Sequence, residues 1–359
     1  MFFCIALMLL FVVRSESAME GAARGLELFM AGVFPSLFPF AVCISCLKRM
    51  GGFSFESKPS KGFFKLQRFL IIGAIAGNPT GSFLLSGESK GGLTLTRLGI
   101  YSALFNLASP VFIIGTVCTK QLGFATKAPG ILLLVCHYTS SLLIFFAFEA
   151  YNSLKRNKLH QAENSVRSKK ESMFDSQIRR DGIGLVSAFP AAAADAASAM
   201  LKLMGTIVFF STIGTIIEKS GLLSLVHPAT AALSMGMLEM TGGLQKLASS
   251  AVEMRLQLSL CSFIISFGGI CIFMQANSIC VVDACSYLCT KLIHGFAAAL
   301  LCYFLFPVFI SGSSEVFASI SASVILSRTL TASKIALLCF ASSVFASLFA
   351  VFAAKRTRA

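Results

Sequence analysis

The sequence predicts an all-α integral membrane protein with about eight transmembrane helices plus two re-entrant helical hairpins in an inverted repeat. Three observations carry that expectation. Of 359 residues, 56% are hydrophobic and 13% charged, with a mean hydropathy of +0.80, whereas a soluble domain carries about 25% charged residues. Apolar stretches near the roughly 20 residues that a helix needs to cross a bilayer recur along the whole chain. The positive charge, net +14, gathers in short segments between those stretches. In a soluble protein such charge would suggest nucleic acid. Between apolar spans it reads as topology, so a lipid bilayer is expected as partner and nucleic acid is not.

The elements follow in order. Met1 to Val13 is read as a first span, with a start site upstream, because no basic stretch precedes it as in a signal peptide. Leu26 to Leu47, Leu98 to Val117, Ile131 to Tyr151, Met200 to Ile217, Leu256 to Ala276, Tyr287 to Val308 and Ile335 to Ala353 complete the eight. Phe69 to Leu85 and Val226 to Ala248 are apolar but interrupted by Gly, Pro, Asn or Thr. They read as re-entrant hairpins, buried in protein because lipid cannot satisfy an open backbone. Val186 to Lys202, Ala-rich with Pro190 and Asp195, reads as a helix lying along the interface.

Charge tests this layout. With the N-terminus inside, the inner segments Lys48 to Arg68, Asn152 to Asp181 and Lys355 to Arg358 hold most Lys and Arg, while outer loops hold scattered ones such as Arg14, Arg24 and Lys120. The chain then divides into a first membrane repeat at 1–151, with its hairpin at about 69–86, and a basic cytoplasmic linker at 152–182. A second membrane repeat at 183–310 has its hairpin at about 226–248, and 311–359 holds a loop, the last transmembrane helix and a basic tail. The linker is polar and poor in aromatics, as exposed connectors are.

The halves align. Asn78-Pro79-Thr80-Gly81-Ser82 in the first hairpin faces Glu239-Met240-Thr241-Gly242-Gly243 in the second. The small residues after His137 match those after His294, and Phe105 to Pro110 sits where Ile265 to Gly269 sits in the other half. Thr80 and Thr241 stand about 161 positions apart, and the two His about 157. Three full spans separate the hairpins, an odd number, so the two units point in opposite directions.

Hairpin tips and helices broken at Ser109-Pro110 or Gly268-Gly269 free backbone groups near the membrane centre, and such ends bind ions. The candidate substrate- or ion-binding residues are therefore Asn78, Pro79, Thr80, Gly81, Asn106 and Ser109 in one half. Glu239, Thr241, Gly242, Ser266, Gly268 and Gln275 are those of the other. Glu239 stands out because a carboxylate at membrane depth costs several kcal/mol unless it pairs, protonates or meets water or an ion. His137 and His294 read as structural residues near an interface, and Asp195, Lys202, Glu149 and Lys291 as span-end residues whose charge can snorkel. Twelve Cys are scattered through apolar runs; Cys43 and Cys46 lack a second pair at zinc spacing, so no metal is expected. No P-loop, H-E-x-x-H or G-x-S-x-G occurs, so an enzyme or ATP-driven pump is not expected.

Several of these motifs resemble the YlbJ family of sporulation integral membrane proteins, with its nucleoside-recognition gate regions. The likeness lies in Gly32 to Phe40, Ala76 to Gly81, Asn106 to Gly115, His137-Tyr138, Leu238 to Gly243, and Phe267 to Gly269 followed by Gln275. Where the family has Gly-Tyr-Pro and Ser-Asn-Pro, this chain has Gly77-Asn78-Pro79 and Ala108-Ser109-Pro110. The resemblance implies a fold like that of concentrative nucleoside transporters and movement of dipicolinic acid across the outer forespore membrane, with the cell membrane as the other address. The expectation is a secondary transporter of a small anionic metabolite, without cofactor but with a coupling ion, Na⁺ or H⁺, and with homo-oligomerisation left open. A nucleoside-type transporter and a non-transporting sporulation scaffold or gate protein are the alternatives.

Overall fold

The structure, a computed structural model, describes residues 2–50, 62–86, 93–162 and 184–310. Among these residues every regular element is helical. The helices are α1 (Phe2–Val13), α2 (Ser15–Leu28), α3 (Phe34–Arg49), α4 (Gly62–Ala76), α5 (Thr80–Leu85), α6 (Leu95–Phe105) and α7 (Ala128–Ala162). They continue as α8 (Leu185–Lys219), α9 (Pro228–Leu238), α10 (Met240–Ala248), α11 (Met254–Phe267), α12 (Gly269–Ile279) and α13 (Ala284–Ile310). A π turn at Phe29–Val33 joins α2 to α3, and a π-helical segment at Val111–Gln121 follows α6.

Among the described residues, five helices are long and apolar enough to cross a membrane: Ser15–Arg49, Ala128–Leu154, Leu185–Lys219, Met254–Ile279 and Ala284–Ile310. α1, the first of the expected spans, has 12 residues. Two expectations need correction. Val186 to Lys202 is not a separate interfacial helix but the first half of α8. Ala is the best helix former, and Ala192 and Ala196 pack on Val42 and Cys46 of α3, which carries the helix through Pro190 in its second turn. The expected linker starts late, because α7 continues through Asn152 to Ala162; Leu, Lys, Arg and Gln there favour a helix that projects beyond the apolar layer. The expected span Ile335 to Ala353 lies outside the described residues.

Each half contains a long helix, a hairpin, a broken helix and a second long helix. The hairpins are α4–α5 and α9–α10; the broken helices are α6 with the π-helical segment, and α11 with α12. Polarity follows from contacts. Glu20 pairs with Lys219, and Arg49 with Asp195, so Ser15–Arg49 and α8 run antiparallel. α6 runs parallel to α13, since Gly99 lies against Asp283 and Ser286 while Asn106 meets Lys291. α11 runs antiparallel to α13, since Arg255 reaches Tyr303 while Phe263 meets Phe296. The two broken helices therefore run in opposite directions.

Two apolar clusters hold this frame. One joins Phe29, Ile113, Leu133, Ile207, Leu244 and Ile264; the other joins Phe69, Leu85, Leu104, Phe105, Phe145 and Tyr287. The first backs the second hairpin and the second backs the first.

Candidate functional site

The first hairpin turns at Gly77-Asn78-Pro79, and its second arm, α5, has six residues. α5 docks on the broken helix. Asn106 Oδ1 accepts from Ser82 N–H at 3.0 Å, Asn106 Nδ2 donates to Ser82 Oγ at 2.7 Å and to Ser102 Oγ at 3.2 Å. Gly81 permits this approach: a Cβ there would stand 2.4 Å from the Phe105 carbonyl carbon. Asn78 Oδ1, at the tip, is buried without a hydrogen-bond partner.

The break Asn106 to Ser109 leaves backbone groups that lipid could not satisfy, and side chains satisfy them. Ala108 N–H donates to His137 Nε2 at 3.0 Å, Tyr138 Oη donates to Ala108 O at 3.0 Å, and Lys291 Nζ donates to Asn106 O at 2.7 Å. Ser109 Oγ accepts from Phe112 N–H at 3.2 Å and starts the next half-helix.

In the second half the turn is a single residue. Glu239 is extended between α9 and α10 and caps α10: its Oε1 accepts from Thr241 N–H at 2.9 Å, and Oε2 from Gly242 N–H at 2.7 Å and Thr241 Oγ1 at 2.5 Å. An acidic N-cap meets the positive end of its helix. The second break falls at Gly268, whose φ of +81° ends α11 in a left-handed conformation that side-chain-bearing residues resist. Ser266, just before it, lies 2.7 Å from His137 Nδ1. Because His137 Nε2 accepts the Ala108 N–H, a neutral ring carries its proton on Nδ1 and donates to Ser266. His137 thus ties the two breaks together, and His294 Nε2 donates to the His137 carbonyl at 2.9 Å.

A cavity of about 40 Å³ lies where these pieces meet, room for ordered water in this conformation. Asn78, Ser109, Glu239, Thr241 and Gln275 line it with apolar walls from Val33, Leu37, Phe112, Leu203, Ile207 and Ile272. Gln275 is fixed by donating to Thr206 Oγ1 at 2.9 Å. Both hairpin tips and both broken helices therefore contribute a polar side chain to one space. Pro79 and Thr80 face a second cavity of about 50 Å³, which shares Asn78 with the first and reaches Ser45 and Asp195. Asn106, Ser266, Gly81, Gly242 and Gly268 lie behind the cavity walls and shape the tips and breaks.

His137, His294 and Lys291 are enclosed by protein, 0%, 0% and 1% exposed, so Lys291 does not snorkel, and the two imidazole rings stack 5.0 Å apart. Helices α7 and α13 begin at Ala128 and Ala284, about one turn before the expected spans, which carries these side chains deeper into the fold. Cys271, which also lines the cavity, had no distinguishing signal among scattered cysteines.

No family model matches the chain, and no solved structure matches it. Over 297 residues it is 22% identical to the sporulation integral membrane protein YlbJ of Bacillus subtilis (strain 168), covering 75% of this chain and 72% of that protein. That relative and the five long apolar helices agree. The chain is a multi-pass, all-helical integral membrane protein similar to YlbJ.

Proposed function

We propose that the chain is a secondary transporter that binds a small metabolite in the cavity between the two hairpin tips. The observation that carries this reading is the convergence of Asn78, Ser109, Glu239 and Gln275, one from each hairpin and broken helix, on one space. A scaffold has no need of such convergence. Halves of opposite polarity around a shared site suit alternating access, in which rocking exposes the site to either side in turn.

We read the substrate as a small anion, dipicolinate by the family resemblance, and the setting as sporulation, after the name of the relative. Electrostatics then demands a partner ion. At about 5 Å and an effective dielectric of about 20, two unit charges repel by roughly 3 kcal/mol, and a dianion would meet Glu239. A proton or Na⁺ taken up at Glu239 removes that repulsion and couples the two movements. A nucleoside is the second reading, favoured by a cavity whose polar lining, Asn78, Ser109, Thr241 and Gln275, is mostly uncharged and contains no lysine or arginine among the described residues.

The test is uptake of labelled dipicolinate by proteoliposomes holding purified protein, beside labelled uridine and Glu239→Gln. Dipicolinate uptake that the variant loses supports the main reading. Uridine uptake alone replaces it with the second, and uptake of neither returns the protein to a scaffold role.

A further inference from the structure

Lys291 is the least explained charged residue of the fold. It is 1% exposed, sits two turns into α13, and makes no salt bridge among the described residues. An ammonium group has three protons to donate and no capacity to accept, and burying it without a carboxylate is costly. Its hydrogen bond goes to a particular kind of atom. Asn106 O, 2.7 Å away, belongs to the residue that closes the C-terminal end of the half-helix α6, where unpaired carbonyls and the negative end of the helix dipole accumulate.

The surrounding carbonyls have other donors. Asn106 N–H bonds to Ser102 O, Ser141 Oγ donates to Leu104 O, and Leu107 N–H lies on Phe105 O. Tyr287, one turn before Lys291 on the same face of α13, is also fully buried, with its hydroxyl beside the Asn106 side chain. The other titratable groups nearby, His137 and His294, bring no negative charge. Carbonyl ends of broken helices are where transporters coordinate Na⁺. The other half has no counterpart, because Leu134 occupies the place on α7 that Lys291 holds on α13.

We propose that the Lys291 ammonium is a built-in cation that fills the Na⁺-type position at the carbonyl end of α6, so that this break takes no ion from solution. It deepens the transporter reading by stating which break takes an ion from solution, but its test needs no substrate and stands or fails separately.

The measurement is the thermal midpoint of purified protein in NaCl against choline chloride at equal ionic strength. The wild type and Lys291→Arg should show the same difference between the two salts, whatever ion Glu239 takes. Lys291→Ala, which opens the position, should gain an extra Na⁺-specific rise of about 2–4 °C. If Lys291→Ala instead parallels the wild type, Lys291 is a structural donor and the proposal is wrong. Should Lys291→Ala not fold, Lys291→Ser decides: protein monodisperse in NaCl but not in choline supports the built-in cation, and identical behaviour in the two salts overturns it.

Discussion

Glu239 turns both carboxylate oxygens back on its own helix, accepting three hydrogen bonds from Thr241 and Gly242 while remaining on the cavity wall. Structure and transport can therefore be separated by substitution. Glu239→Ala removes the cap and should cost about 0.5–2 kcal/mol of stability. Glu239→Gln keeps size but turns an NH2 toward one of these donors, so it should lose part of the cap as well, within about 1–3 kcal/mol, while coupled uptake per folded protein falls by roughly tenfold or more, the factor that 1.4 kcal/mol supplies. Uptake per folded protein equal to the wild type in Glu239→Gln would count against a coupling role. Gly81→Ala tests the first hairpin. Its Cβ would meet backbone at 2.4 Å, which side-chain rotation cannot relieve, so a loss of about 1–3 kcal/mol is expected in a chemical denaturation series. At this scale the sequence is legible where chemistry is odd for its setting: Glu239 inside an apolar stretch, or Gly-Asn-Pro-Thr-Gly between two others. It is silent on Lys291 and His137, because hydropathy cannot distinguish a polar residue that begins a span from one buried two turns inside it.

Element boundaries were legible only where the chain marks them chemically. The break of α11 follows from Gly268-Gly269, while the continuity of α8 through Pro190 depends on packing against Val42 and Cys46, which no local pattern reveals. α13 begins with a marked signal. Asp283 Oδ2 accepts from Ser286 N–H at 2.9 Å and from Ser286 Oγ, and these bonds hold the Asp283 carboxyl below its usual range. A depressed carboxyl stabilises the fold above its unfolded pKa, about 3.9, and loses that contribution as pH falls through the folded value. Asp283→Ala should therefore lower the melting temperature at pH 7, and the gap to the wild type should close below about pH 4. A gap unchanged between pH 7 and pH 3 would show that the carboxylate charge is not what starts this helix.

Across the whole molecule, the antiparallel pairing of Ser15–Arg49 with α8 puts a different set of ion pairs at each end. At one end Arg24 and Lys246 both meet Glu218, and Arg24 also donates to Gln245, so the second arm of the second hairpin is tied to both long helices. At the other end Arg49 pairs with Asp195, and the cavity that shares Asn78 with the central one reaches Asp195 and Ser45. Ion pairs to Glu218 thus join three elements at one end, while a cavity extends toward the other. Partly exposed pairs of this kind contribute about 0.2–1 kcal/mol each, so a network of about 1 kcal/mol shifts an opening equilibrium roughly fivefold. Glu218→Gln should then speed labelling of Leu247→Cys, a buried position on α10, by a membrane-impermeant maleimide about fivefold at low salt. The difference should shrink toward 1 M NaCl, where the screening length falls to about 3 Å. Labelling at low salt that is equally slow with and without the Glu218→Gln substitution would mean that apolar packing of α10 on α11, and not this charge cluster, keeps that end closed.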